Sequence, residues 1–303
     1  MNLGRVLVVG GDGQVGTDLR RRLTGSAEVL ATTRSGRLAD GGECAALDLA
    51  DAAAIAPLLQ RLRPDHVINA AAYTAVDRAE SEPALAQAVN AVAPGRLAEA
   101  CAAADIGLIH FSTDYVFDGR GERPYRESDA TAPINVYGRS KLDGERSIAA
   151  SGVRHLILRT AWVYAADHGH NFLRTMLRVG AQREELRVVA DQRGSPTPTW
   201  LLADAVARVL ERGIVASGVR HLAAAGDTTW HGFAEAIFTE AVARGLLARA
   251  PRVTAIATAE YPTPAQRPGY SVLDTQLLRS EYALDVPDWK EGLRRAFDRG
   301  DSA

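Results

Sequence analysis

The chain has 303 residues, 47% hydrophobic and 24% charged, which excludes collagen-like, disordered and small disulfide-built scaffolds and leaves room for one large core or two smaller ones. Its 35 basic residues face 37 acidic ones, for a formal net charge of -2. No broad field therefore favours a nucleic-acid backbone or an anionic membrane, and the expected partner is a small molecule. Cys44 and Cys101 sit in alanine-rich stretches without a second thiol or a histidine at metal-ligand spacing, and read as reduced core residues. The apolar run Val6 to Val9 is too short for a signal core or a membrane span, so a cytoplasmic location is expected.

Arg5 to Val9 reads as a short buried strand that ends in Gly10-Gly11-Asp12-Gly13. A helix from about Val15 to Leu23 follows, then a strand at Val29 to Thr32, a helix at Ala52 to Leu62 and a strand at His66 to Ala70. The pattern continues with a helix over Ala84 to Ala104, a strand at Gly107 to Ser112, a helix at Val136 to Ala150 and a strand at His155 to Thr160. Such a succession needs crossover connections and puts helices on both faces of a parallel sheet. The expected fold is α/β, a doubly wound parallel (Rossmann) sheet with a smaller, discontinuous C-terminal substrate domain.

Past Thr160 the spacing predicts helices at Asn171 to Gln182, Ala203 to Arg212 and Phe233 to Arg244, and strands at Arg187 to Ala190 and Arg220 to Ala224. Prolines 262, 264 and 268 exclude a helix interior or a central strand there. Residues 1–164 are expected to form the dinucleotide-binding domain, with 203–225 returning to it. Residues 165–202 and 226–303 are expected to form the substrate domain.

Gly10, Gly13 and Gly16, with Gln14 and Val15 between them, have the G-x-x-G-x-x-G spacing between the first strand and the first helix. Glycine serves where a chain turns tightly and its backbone must approach a pyrophosphate, and the helix N-terminus supplies free N–H donors. At the end of the second strand stand Thr32, Thr33 and Arg34, with no carboxylate to repel a 2′-phosphate. NADPH is favoured, NADH being the alternative; a solvated loop arginine is the competing account of Arg34. Asp48, with Leu49 beside it, follows the apparent third strand and reads as an acceptor for an adenine amino group or as a helix cap.

Tyr137 and Lys141 stand four residues apart at the start of a helix, so both leave on one face. An adjacent ammonium and an oxidised nicotinamide ring each favour tyrosinate, so the phenol's pKa is expected to be lowered and Tyr137 to donate a proton to a ketone receiving hydride. Such a general acid is worth about 10²–10⁴ in rate. Thr113 follows a strand's carboxyl end, where its hydroxyl meets either the substrate carbonyl or, in the plainer account, local backbone.

These residues resemble the extended short-chain dehydrogenase/reductases and, more closely, the dTDP-4-dehydrorhamnose reductases. The likeness rests on the glycine cradle with Gln14, on the runs from Asn69 to Glu80, Ser112 to Gly119, Ala132 to Lys141 and Arg159 to Tyr164, and on the proline-punctuated run from Tyr261 to Pro268. The resemblance implies reduction of C4 of dTDP-4-dehydro-6-deoxy-L-mannose by NADPH, giving dTDP-L-rhamnose for cell-envelope polysaccharide. It assigns catalysis to Thr113, Tyr137 and Lys141, cofactor contacts to Ala70, Ala71 and Ala72, and the substrate side to Thr74, Val76, Tyr115, Trp162 and Arg267. Trp162 as core filler and Arg267 as a surface arginine are the plainer alternatives.

Some members of that family share a magnesium between subunits through glutamates. The matching positions here are Asp18, Trp200 and Arg299, a poor oxygen set, so no such metal is expected and the chain is expected as a monomer or homodimer. Two rival functions share the fold. One is a non-catalytic dinucleotide-binding subunit, whose signature would be loss of the threonine, tyrosine or lysine. The other is a nucleotide-sugar epimerase or dehydratase, the dehydratase needing a further acid such as Asp114 beside Thr113.

Overall fold

The computed structural model describes residues 3–300. Val6, Leu7, Val8 and Val9 are buried on both sides of β1 (Arg5–Val9), which places that strand inside a sheet rather than at its edge. β2 (Glu28–Thr33) and β3 (Ala45–Ala46) extend the sheet one way. β4 (His66–Asn69), β5 (Gly107–Thr113), β6 (His155–Thr160) and the strand Gly218–His221 extend it the other way, making seven strands. All six pairings are parallel. The winding reverses between β1 and β4, whose ends Val9 and Asn69 are in register. Open α/β sheets take their ligands in the crevice beyond such a reversal.

Alternation along β1 sends its residues to two cores. Val6 and Val8 join Leu19 and Leu23 of the helix Gln14–Leu23 and Leu202 and Val206 of the helix Thr199–Arg212. Leu7 and Val9 join Leu58, Leu97 and Cys101 on the opposite face. Each such side chain, fully buried, contributes about 1.5–3 kcal/mol. The doubly wound parallel sheet expected from the sequence is the fold observed. Cys101 lies in the core as expected, its thiol pushed up to about 12 by burial. Cys44, beside β3, is only half-buried rather than a core residue.

The helix expected over 84–104 is broken into Pro83–Gln87, a π-turn at Ala88–Val92 and Ala93–Ala103. Pro94 is the cause: it has no amide for the Asn90 carbonyl, and its ring would collide with that oxygen, so the ladder widens locally. A third core, built from Tyr164, Leu173, Trp200, Phe233, Trp289 and Phe297, lies outside the main sheet. It draws on the helices Phe172–Gly180, Trp230–Ala243 and Trp289–Gly300. Beside it the strand Arg252–Ile256 pairs with Glu185–Val189. That strand and the helices Gln276–Tyr282 and Trp289–Gly300 are additions to the expected elements.

Candidate active site

The glycine turn closes at the mouth of the crevice. Gly10 has φ +84°, and a Cβ there would fall 2.8 Å from the Ala71 amide nitrogen; one at Gly16 would fall 2.0 Å from the Gly10 carbonyl oxygen. A Cβ at Gly13 would meet only the Gly10 oxygen at 3.4 Å, so this position borders open space. No side chain caps the helix that starts after Gly13. Its first amides and its positive dipole end are left for an anion. These features fit a dinucleotide pyrophosphate. Val15 turns toward the first core. The Gln14 side chain instead accepts from Asn171 Nδ2 at 2.8 Å, tying the turn to the chain beyond β6.

At the end of β2, Thr33 is buried and its hydroxyl closes the following turn, donating to the Arg37 carbonyl at 3.0 Å and accepting from the Arg37 amide at 3.1 Å. Arg34 is exposed and has no hydrogen bond or ion pair among the described residues. Asp48 is exposed and accepts from the Ala50 amide at 2.9 Å, while Leu49 is buried in the second core. Asp51, rather than Asp48, caps the short 3-10 turn that follows. Ala70 packs toward one core and Ala71 toward the other, and Ala72 is half-buried beside them.

The helix Val136–Ala150 begins and ends where the periodicity predicts. Asn135 caps it by accepting from the Gly138 amide at 2.8 Å, and its Nδ2 donates to the Gln266 carbonyl at 2.9 Å. Glu80 accepts from the Val136 amide at 2.8 Å, a second anionic partner at the helix N-terminus. Two glycines let this helix press against its neighbours: a Cβ at Gly138 would lie 2.1 Å from the Tyr115 carbonyl oxygen, and one at Gly144 would lie 2.1 Å from the Asn90 carbonyl oxygen released by Pro94.

Thr113 ends β5 and Tyr137 opens the helix, and the two hydroxyls are brought together. Burial pushes the Tyr137 phenol up to about 12; hydrogen bonding to Thr113 draws it down and Asp114 raises it. The expected lowering is therefore not found. Burial outweighs the Thr113 bond, while Lys141 Nζ donates to the Phe111 carbonyl at 2.7 Å and lies 3.2 Å from His110 Nε2. Lys141 is buried, which pulls its pKa down to about 8 against the opposing pull of Glu145. Thr113 Oγ1 donates to Asp114 Oδ1 at 2.9 Å and accepts from the Tyr115 amide at 3.2 Å. Asp114 is itself buried with Oδ2 unpaired among the described residues, and burial pushes its carboxyl up to about 6. A buried pair stiffens the floor: Arg159 forks onto Glu145 at 2.9 and 2.7 Å, and Ser112 donates to the same carboxylate at 2.5 Å.

Tyr115 stands edge-on to Tyr137 with ring centroids 5.6 Å apart, and burial pushes its phenol upward. Thr74 is exposed, and Val76 opens the short helix Val76–Ala79. Trp162 has φ +47°, a costly conformation for a bulky residue and one that concentrates at functional sites. Its indole stacks on Trp230 with centroids 3.6 Å apart and planes 4° apart, and a Cβ at Gly194 would fall 2.5 Å from that ring. Arg267 is forked onto Asp77 through two 2.8 Å bonds and is only 18% exposed at its side chain, so it is not a free surface arginine. Asp77, Glu80 and His110 are absent from the residues singled out in the sequence. The first two stand inside the motif runs and become readable only through their partners. For His110 the signal is indirect: Lys141 and Lys290 are the chain's two lysines.

At the positions compared with magnesium-binding glutamates, Asp18 accepts from Thr199 Oγ1 at 2.5 Å, Trp200 is buried, and the Arg299 guanidinium lies 4.8 Å from the Trp200 ring centroid.

The RmlD substrate binding domain family matches residues 4–302. A dTDP-4-dehydrorhamnose reductase of Shigella flexneri is 43% identical over 97% of both chains. The chain belongs to the dTDP-4-dehydrorhamnose reductase family. Another member, from Burkholderia thailandensis, is 44% identical over 94% of this chain and 95% of its own. Among solved structures, the family member of Bacillus anthracis in complex with NADP superposes with a TM-score of 0.89 at 34% identity, covering 99% of this chain and 100% of that one. The fold also extends beyond the family, to a UDP-glucose 4-epimerase of Thermus thermophilus at a TM-score of 0.78 and 22% identity, with 99% of each chain covered. No helix among the described residues is long and apolar enough to cross a membrane.

Proposed function

We propose that this chain uses NADPH to reduce the C4 ketone of dTDP-4-dehydro-6-deoxy-L-mannose, yielding dTDP-L-rhamnose as the last step of its formation for cell-envelope polysaccharide in the cytoplasm. The observation that carries the reading is the meeting of Thr113 and Tyr137 at the carboxyl end of β5, beside a glycine turn built for a pyrophosphate. NADP bound to the Bacillus anthracis family member supports the choice of cofactor, and so does Arg34, exposed just past β2 and without a polar partner among the described residues.

When bound, the nicotinamide supplies hydride to C4. Tyr137 gives its phenolic proton to O4, closing the balance from ketone to alcohol, and Thr113 turns its hydroxyl from Asp114 to the same oxygen. Lys141 holds a ribose hydroxyl and favours the tyrosinate left behind. The cradle Gly10, Gly13, Gln14, Val15 and Gly16 takes the pyrophosphate, and Ala70 to Ala72 line the ring. Thr33, Asp48 and Leu49 border the adenosine end, with Thr33 and Asp48 acting through the loops they fasten. Tyr115, Thr74, Val76 and the strained Trp162 wall the sugar, and Arg267 meets the nucleotide phosphates while Asp77 aims it. Residues 165–202 and 226–300 supply the substrate side of the crevice, against a cofactor side built from 3–164 and 203–225, the remaining terminal residues of these two stretches lying outside the described residues.

The test follows NADPH absorbance with a panel of dTDP- and UDP-linked 4-keto-6-deoxy sugars. Stoichiometric oxidation with the dTDP-4-dehydrorhamnose substrate is expected, and cofactor binding without turnover on any member would remove the assignment. A dehydratase is the second reading, favoured by one observation: Asp114 is a buried acid next to Thr113 with its carboxyl raised to about 6. Dehydration regenerates its own cofactor, so net consumption of NADPH separates the two.

A further inference from the structure

Lys141 and Lys290 are the chain's two lysines, and its other basic side chains counted with them are arginines. Lys290 is exposed, whereas Lys141 is 1% exposed. A guanidinium keeps its charge at any working pH, but an amine can release a proton. An arginine-rich chain has kept its amine at a fully enclosed position.

The surroundings of that amine form a closed line of hydrogen bonds. Lys141 Nζ lies 3.2 Å from His110 Nε2, His110 Nδ1 lies 3.0 Å from Asn69 Nδ2, and Asn69 Oδ1 accepts from the Ala71 amide at 3.2 Å. His110 is wholly buried, and burial together with the Lys141 charge holds its pKa well below the ordinary value, so the ring is neutral. A neutral imidazole has one N–H and one lone pair. With the Asn69 amide group donating to Nδ1, the ring proton sits on Nε2 and faces Nζ, which can accept it only as an uncharged amine. With Lys141 as an ammonium, Nε2 must accept, the ring proton moves to Nδ1, and Asn69 must present its oxygen and release the Ala71 amide. Between the two states the net change is one proton gained at Nζ.

We propose that His110 is a positioning residue for Lys141: it binds the amine in both charge states by changing tautomer and passes the change through Asn69 to the Ala71 amide at the mouth of the crevice. This rests on the reading that Lys141 and Ala71 face the cofactor. The other groups bearing on Lys141 are Glu145 and Tyr137 on its own helix, Arg159 of β6, which pairs with Glu145, and Asp114 after β5, which acts on Tyr137. Glu145 is already held by Arg159 and Ser112, and the Phe111 carbonyl can accept from Nζ in either charge state, leaving His110 as the partner that must rearrange.

The experiment uses the full chain without cofactor, labelled with ¹⁵N in histidine and ¹³C/¹⁵N in lysine, and titrated by NMR. Lys141 is expected to titrate with a midpoint well below the ordinary lysine value. The His110 ring nitrogens should exchange N–H character at that lower midpoint, Nδ1–H below it and Nε2–H above it. A His110 tautomer that stays constant through the Lys141 titration overturns the proposal. In His110→Phe the ammonium loses an acceptor, so the Lys141 midpoint should fall by about one unit, a tenfold loss in proton affinity. His110→Gln, which offers either an oxygen or an amide N–H to Nζ, should restore it. An unmoved midpoint in folded His110→Phe also overturns the proposal, and if that variant does not fold the tautomer measurement on the parent decides alone. None of these readouts needs substrate, so a failed reduction assay leaves this coupling standing and a failed coupling leaves the reduction assay standing.

Discussion

Thr113 Oγ1 donates its single proton to Asp114 Oδ1 at 2.9 Å, so it can support a tyrosinate at position 137 only by turning that proton away from Asp114. The incoming ketone oxygen must therefore take over both hydroxyls. Thr113→Val keeps the shape and removes both roles. We expect kcat to fall roughly 10²–10³-fold with little change in NADPH affinity. Steady-state rates beside a fluorescence titration of NADPH decide it, and near-normal turnover would show that Thr113 only shapes the turn after β5.

Tyr137→Phe removes the proton itself. Turnover should drop by about 10²–10⁴, while NADPH binds almost as before, because Phe keeps the ring beside Tyr115. Retained turnover would transfer the acid role to another group.

Arg34 is exposed and has no hydrogen bond or ion pair among the described residues, so its removal breaks none of them. Arg34→Ala should weaken NADPH roughly tenfold or more, the scale of one charge-assisted hydrogen bond, and leave NADH nearly unaffected. Equal losses for both cofactors would show that the guanidinium does not reach the 2′-phosphate.

Asp114 carries a pH signature. Its carboxyl sits at about 6 in the folded chain against an ordinary 3.8, so the folded state holds the proton more tightly than the unfolded one. Stability is greatest below the unfolded value and falls as pH rises toward 6, leaving a cost on the order of 2–3 kcal/mol at neutral pH. Asp114→Asn should be more stable than the parent at pH 7 by a similar amount, with the difference closing below about pH 4. Urea unfolding at both pH values measures it, and equal stability at pH 7 would mean that the buried carboxylate costs nothing.

Where local chemistry decides the structure, the sequence is a sufficient guide. The Val136–Ala150 helix is legible to its ends because Asn135 is a strong cap and the apolar spacing is regular. The parallel sheet follows from runs such as Val6–Val9, buried on both faces. The stretch 84–104 reads as one unbroken helix because its alanines favour helix everywhere, and the effect of Pro94 depends on how tightly a neighbouring helix can follow the widened turn. Arg252–Ile256 gives no local signal because its strand character comes from pairing with a partner 67 residues away, as in Arg252 with Glu185. In the site, residue types are readable but partnerships are not. Nothing local says that Asp77 aims Arg267, that Trp162 stacks on Trp230 from a left-handed backbone, or that Phe111 and His110 are the partners of Lys141.

Gly138 and Gly144 bracket the stretch that carries Lys141, and each leaves room for a carbonyl oxygen where a methyl would otherwise sit. An added methyl at either place would lift the whole rod, carrying phenol and amine outward in concert with their mutual spacing preserved. Damage done there would look like a defect of chemistry in a rate assay while every reacting group remained in the chain. The accuracy of the site is set by how closely two backbones touch.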